Sequence, residues 1–467
     1  MNCCPDLPVT GYMINNSHVA VKLHCLAENC EINGTGILEK IKMPSSYPAK
    51  GITPIMRVPE IFRIPHFTRF WLGQTVSAFG NNLMPIAFVF AILSLGDSAV
   101  SLAKILVVLW GVRVVVQSFG VAISDKLPRV PLMIIADGVQ ALALTALALL
   151  YIFHDARILW LYGEAAVEGA LQGLYDPVAT SLRRQLIPSA SLQQVVSAQS
   201  LASKGTRIIA PLVSAFLVRD VGFWSVFLLD AGTFGFSALT LRGIRYKTPP
   251  PELAIRTSWY ADFVQGWKCL IKFRWILWLA LATSFNNMIM GAFAVVGPTI
   301  THRSYAGILA WAILRSATMV GGVAGVLIAY RATWPRPFVV IQLISAIFIA
   351  LPMILLALHG NLIWVAVTVG LMGAALAIKS VFSDTAISQQ IPARVIGRID
   401  AWDTTLGDLL LPVAFVLAGL GIHILGVRPV LWAMAVTSIF TNISVLGFRT
   451  VRQISLTYGP TEGMVEE

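Results

Sequence analysis

Twelve apolar runs, each near the roughly 20 residues that a helix needs to cross a bilayer's hydrocarbon core, recur along this chain and constrain its fold more than any other feature. They lie at 70–94, 100–123, 131–152, 158–180, 199–218, 222–242, 275–299, 306–329, 338–358, 362–386, 402–424 and 428–448. In hydrocarbon each backbone N–H and C=O must find its partner within the protein, so runs of this length become helices. Only 12% of the 467 residues are charged, against about 25% in a soluble domain. The chain therefore reads as an all-α integral membrane protein with twelve transmembrane helices.

The net charge of +11 follows membrane topology and calls for no nucleic-acid partner. Lys126, Arg129, Arg184, Arg331, Arg336 and Arg398 all fall in loops on one side, whereas Arg157, Arg219, Arg303 and Arg428 account for most of the other. Cytoplasmic loops hold the excess of Lys and Arg, which places both termini in the cytoplasm of a cell inner membrane. Residues 1–66 are polar, mixed and without sustained period, and are expected to form a poorly ordered N-terminal extension. Two six-helix halves are expected at 67–243 and 275–450, with a cytoplasmic linker at 244–274 and a short tail at 451–467. The linker opens on three prolines and closes on "YADFVQGWKCLIKFRW", which has the pattern of an amphipathic helix lying on the membrane surface.

The division into halves has a second basis. "FGNNLMPIAF" carries Asn81 and Asn82, and "FNNMIMGAF" carries Asn286 and Asn287, 205 positions later. Arg69 and Arg274, Gly120 and Gly325, and Lys126 and Arg331 repeat the same offset. Coincidences at one offset mark an internal duplication of six helices in parallel orientation.

Ionisable groups inside the apolar runs are the chemical signal. A charge at membrane depth is expensive, so each must be paired, hydrated or neutralised, and each marks a candidate site. In "LYGEAAVEGALQGLYDP", Glu164 and Glu168 stand one helical turn apart on one face. Arg113, in the second run, is a natural charge partner for Glu168. Asp230, Lys379, Asp384 and Asp408 also fall within runs. His154, His302, His359 and His423 lie at run ends on the outer side, which leaves no histidine for a mid-membrane proton relay or metal site. "HCLAENC" lacks the paired spacing of a structural zinc site, and no phosphate-binding G-x-x-x-x-G-K-[ST] loop is present. No cofactor and no metal are expected. An enzyme would need a nucleophile–base set at membrane depth, and a non-transporting sensor would need a soluble output domain; neither is visible.

"GVAISDKLPRVPLMIIAD", after the second run, resembles the Gly-x-x-x-Asp-Arg-x-Gly-Arg loop of the major facilitator superfamily, with Asp125, Lys126 and Arg129 in its charged places. Val121 and Pro128 depart from that pattern. "ADGVQALALTALALL", "ASKGTRIIAPLVSAFL", "FLLDAGTFGFSALTL" and "QQIPARVIGRIDA" extend the likeness across about residues 62–452, and resemble the twelve-span subgroup of macrolide exporters, the enterobactin exporter and related drug–proton antiporters. The resemblance implies two pseudo-symmetric bundles around a central cavity lined by spans one, four, seven and ten. It makes Glu168, Glu164 and Asp230 candidates for proton coupling. Asn81, Asn82, Asn286, Asn287 and Lys379 become candidates for cargo contact, and Asp125, Lys126 and Arg129 form a gating motif. Both asparagine pairs sit roughly 16–18 Å from the cytoplasmic end at 1.5 Å per residue.

The reading is a monomeric secondary transporter that exports an amphiphilic small molecule, such as a drug, macrolide or siderophore, in exchange for protons. The alternative is a lipid or lysophospholipid facilitator without proton exchange. Topology is directly testable. Asp155→Cys and His302→Cys should react with an impermeant thiol reagent added outside the cell, and Pro128→Cys and Thr333→Cys should not; the opposite pattern would invert the orientation.

Overall fold

The computed structural model describes residues 67–96, 98–124, 128–186, 192–244, 267–268, 270–332, 334–391, 399, 402–403 and 405–454. The expected extension at 1–66, residues 245–266 of the expected linker at 244–274, and Asp125 and Lys126 of the expected gating motif lie outside these residues. Each apolar run becomes one helix: α1 (Phe67–Gly96), α2 (Ala99–Ser124), α3 (Arg129–Ile152), α4 (Ile158–Leu186), α5 (Leu192–Asp220), α6 (Phe223–Arg242), α7 (Arg274–Ser304), α8 (Ile308–Arg331), α9 (Pro337–Ala357), α10 (Leu362–Gln390), α11 (Leu411–Leu425) and α12 (Val427–Val445), with a short α13 (Arg449–Arg452). Ten of the described helical segments are long and apolar enough to cross a membrane. The more polar two are α4, which carries Glu164, Glu168 and Asp176, and α12, with its Ser, Thr and Asn.

Helix ends follow local chemistry. Asn361 caps α10 by accepting from the Ile363 amide at 2.9 Å. The tight turns from α5 to α6 and from α11 to α12 pass through Gly222 (φ 116°) and Gly426 (φ 87°), a backbone region that side chains with a Cβ rarely enter. These two glycines occupy matching places in the two halves.

The duplication read in the sequence reaches the packing. α1 packs on α5 and α6, α2 on α4, and α3 on α4 and α6. Six helices further on, α7 packs on α11 and α12, α8 on α10, and α9 on α10 and α12. The halves meet where α2 lies on α11 and α5 lies on α8. This is an arrangement of two pseudo-symmetric six-helix bundles.

Small residues let the closest pairs touch backbone to backbone. A methyl group at Gly169 or Gly173 of α4 would press on the α2 backbone at Leu109 and Arg113. On the matching pair, a methyl at Gly321 or Gly325 of α8 would meet the α10 backbone at Gly370 and Ala374. Such approach suits helices in lipid, where van der Waals packing replaces the hydrophobic drive between helices. The outer faces are apolar: Leu142, Leu201 and Phe440 are 73%, 75% and 72% exposed. Near the end of the expected linker, Leu270 is buried while Trp267, Lys268, Ile271 and Lys272 are exposed.

Packing this close has a clear consequence. Gly321→Val forces α8 away from α10 and should lower the heat-aggregation midpoint of the purified protein, at a cost of about 1–3 kcal/mol. Gly138→Ala, with open space at its Cβ, should leave the midpoint unchanged or raise it. Equal midpoints for Gly321→Val and the unaltered protein would show that the α8–α10 contact is not close-packed.

Candidate functional site

Within an apolar helix, polar residues spaced three or four apart line up as one stripe. α1 carries Gln74, Ser77, Asn81 and Asn82; α4 carries Glu168, Gln172, Tyr175 and Asp176; α5 carries Gln199, Ser203 and Arg207. Folding turns these stripes toward one another. With Asp137 and Gln140 of α3, Arg113 of α2 and Phe234 of α6, they enclose a cavity of about 400 Å³. Its described lining comes from the first six-helix bundle and includes nothing from α7 or α10, two of the four helices expected to line the cavity.

Charge in this cavity is distributed unevenly. Arg113 Nη2 pairs with Asp176 Oδ2 at 2.9 Å, and its guanidinium stands over the Trp110 ring at 5.0 Å. The expected partner of Arg113 was Glu168. The ion pair instead goes to Asp176, two turns along α4, while Glu168 stays within the electrostatic reach of Arg113. Glu168 Oε1 accepts from Gln172 Nε2 at 2.8 Å. It keeps accessible surface although protein surrounds it, as befits a group on a cavity wall. Glu164, one turn away, is only 4% exposed and accepts from Gln140 Nε2 at 2.7 Å. Asp230 is buried, accepts from Thr233 Oγ1 at 3.0 Å, and stands against Gly80 of α1. It packs against α1 and is not among the residues that line the cavity.

The four asparagines separate into two roles. Asn81 is exposed on the cavity wall. Asn82 also lines it, but its amide is held by Ala78 O at 2.6 Å and by Thr206 Oγ1 of α5 at 3.1 Å. Asn287, the symmetry mate of Asn82, donates to Gly407 O just before α11 at 3.1 Å. Both therefore tie the first helix of a half to its fifth. Asn286 corrects an expectation. It is 2% exposed, and it exchanges two hydrogen bonds with Asn442 of α12, at 3.2 and 3.1 Å. A buried amide in hydrocarbon needs every partner it can find, and a second amide on a facing helix supplies both donor and acceptor. Lys379 is 6% exposed, with its Nζ lacking a hydrogen-bond partner and Asp403 within electrostatic reach; it too lies outside the described cavity. Asp384 accepts from Ser380 Oγ at 3.4 Å and is not joined to Lys379. Of the expected gating motif, Arg129 is described, half-buried at the start of α3.

Several residues of the site escaped the sequence reading. Asp137 is 1% exposed, and neither carboxyl oxygen makes a well-formed hydrogen bond, though the Ser237 hydroxyl stands beside it. Asp176 and Arg207 line the same cavity. The rule that drew attention to Glu164, that an ionisable residue in an apolar run marks a site, applies equally to all three.

The sequence pattern of the Major Facilitator Superfamily matches residues 70–412. The chain belongs to that family of membrane transporters. A stretch of 195 residues is 26% identical to a protein of Bacillus subtilis (strain 168) described as an uncharacterized MFS-type transporter, YfiS. That match covers 40% of this chain and 45% of the relative, so the chain spans less than half of the curated relative's length. Among solved structures, a mutant form of the nucleoside transporter NupG is similar with a TM-score of 0.68 at 10% identity, over 82% of this chain and 99% of that one. A bacterial homologue of the iron transporter ferroportin, in an inward-facing state, is similar with a TM-score of 0.65 at 14% identity, over 82% and 98%. A POT family transporter in complex with 5-aminolevulinic acid gives 0.66 at 12% identity, over 83% and 96%. At these identities the likeness is one of fold.

The two asparagine roles are separable by experiment. Asn286→Ala should cost about 1 kcal/mol of stability by stranding Asn442, and leave cargo affinity unchanged. Asn81→Ala should do the reverse, changing affinity and leaving the melting midpoint in place. A shared phenotype would refute the division.

Proposed function

We propose that this protein is a secondary active transporter that exports an amphiphilic small molecule across the cytoplasmic membrane in exchange for protons, by alternating access between its two bundles. The observation that carries the reading is the position of Glu168. It is a carboxylate on the wall of a polar cavity at membrane depth, with one neutral amide, Gln172, as its hydrogen-bond donor. The ion pair that could have fixed its charge belongs to Asp176. A carboxyl so placed can take up and release a proton as the cavity turns from one side of the membrane to the other. Glu164, deeper in the protein and joined to Gln140, serves as a second proton site one turn away.

Outward direction and proton exchange draw support from the likeness of the loop "GVAISDKLPR" to drug–proton antiporters. In this reading, Asp125, Lys126 and Arg129 form a cytoplasmic gate, and both termini are cytoplasmic. The polar lining weighs against a cargo that is wholly lipid-like.

Glu168→Gln decides the matter. In proteoliposomes with an imposed pH gradient, a panel of amphiphilic cations, anions and zwitterions identifies cargo for the unaltered protein. The variant should then lose uphill transport of that cargo and retain downhill exchange at saturating cargo, because exchange needs the rocking motion and not the proton. Glu164→Gln should reduce transport less. Gradient-driven accumulation by a well-folded Glu168→Gln protein would end the assignment.

A further inference from the structure

Arg207 and Arg315 are two charges within apolar helices that are so far unexplained. Arg207 lies on α5 in the first bundle, midway along an apolar segment, and lines the cavity. Arg315 lies on α8 in the second bundle, also within an apolar segment. Their neighbours in sequence hold the two helices together: Ser316 Oγ donates to Ile208 O at 2.7 Å. One hydrogen bond, one residue along from each arginine, thus fixes the two positions side by side across the junction of the halves. The two guanidinium groups are near enough to act on one another electrostatically. Arg315 has accessible surface and is nonetheless surrounded by protein.

Neither arginine has an ion-pair or hydrogen-bond partner among the described residues. Arg113, by contrast, has Asp176. Two facing cations at membrane depth without a carboxylate between them are costly, and an oxyanion between them removes the cost. A guanidinium presents a planar fork of donors that matches the two oxygens of a carboxylate or a phosphate. We infer that Arg207 and Arg315 form an oxyanion site that holds a carboxylate or phosphate group of the cargo between the two bundles.

This inference rests on the reading of the cavity as the cargo path, and it specifies the cargo further. Glu168 and Arg207 share one cavity. A zwitterionic cargo spans the two, its oxyanion on the arginines and its positive centre at Glu168, where it competes with the proton. Competition for one carboxylate is what couples two species in opposite directions. The site also links binding to movement, since each arginine belongs to a different half. An oxyanion draws together two surfaces that otherwise repel, and its release lets them part.

Binding by the purified full-length protein in detergent and chloride buffer tests the site. The probes are three ring isosteres, 4-(aminomethyl)benzoate, benzoate and benzylamine, with lysophosphatidylethanolamine micelles as the lipid source of an oxyanion. The zwitterion and benzoate should bind, and benzylamine should bind without dependence on either arginine. Arg207→Gln and Arg315→Gln should each weaken benzoate binding by about tenfold to hundredfold, the loss expected when a charge-assisted hydrogen bond is removed. Arg207→Lys with Arg315→Lys retains the charge and the fold, and should recover part of the affinity. If lysophosphatidylethanolamine binds and the soluble oxyanions do not, with the same dependence on both arginines, the site stands and its oxyanion comes from a lipid headgroup. Unchanged affinity in monodisperse Gln variants, or equal arginine dependence for benzylamine, would overturn it. Glu168→Gln should still bind benzoate. Loss of proton coupling with benzoate binding intact therefore bears on Glu168 alone, and proton-driven transport without any oxyanion binding bears on the arginines alone.

Discussion

A polar atom in hydrocarbon has no water to turn to, and this constraint orders the whole molecule. It makes every long apolar run a helix, because only a helix satisfies its own backbone. It then acts on the side chains. Asn82 and Asn287 each reach a fifth helix, Asn286 and Asn442 satisfy one another, and Glu164 takes its hydrogen bond from Gln140. With the outer faces left to Leu, Ile and Phe, the remaining polar stripes of α1, α3, α4 and α5 have only the interior to face. The cavity is the place where they meet.

Two kinds of contact divide the work of holding the bundles. Within each half, α2 on α4 and α8 on α10 meet at glycines, where the backbones touch and no side chain intervenes. These are dispersion contacts, short in range and intolerant of added volume. Between the halves, α5 and α8 are joined by the hydroxyl of Ser316, with the like charges of Arg207 and Arg315 beside that bond. In the proposed cycle, a junction holding both an attraction and a repulsion suits two bundles that rock against one another. The backbone-to-backbone pairs inside each half suit bundles that move as units.

Charge pairing in the first bundle also repays comparison with its parts. Arg113 lies within reach of Glu168, Asp176 and, across the junction, Asp408. Only Asp176 is in direct contact. The cation is thus neutralised locally, and Glu168 is left to an amide. Under the proposed proton exchange, an Arg113–Glu168 ion pair would pin a charge that has to be lost, so in that reading the pairing with Asp176 bears on function as well as stability.

The sequence by itself determined the helices, their number and their division into two sets of six, because apolar run length and a repeat spacing are properties of the chain read in order. It marked Glu164, Glu168 and Arg113, since a charge within an apolar run is visible without any neighbour. It could have marked Asp137, Asp176 and Arg207 by the same rule. What it could not decide was which side chains meet. Asn286 and Asn81 are symmetry mates of identical chemistry, yet one is spent on Asn442 and the other faces the cavity. Arg113 could reach either of two carboxylates on α4, and helix packing gave it the farther one along the chain. Arg207 and Arg315, more than a hundred residues apart, became neighbours only when α5 met α8. Partnership depends on how helices rotate and lean against one another. That is settled by the fit of small residues at a few crossing points, and no periodicity along one chain segment records it.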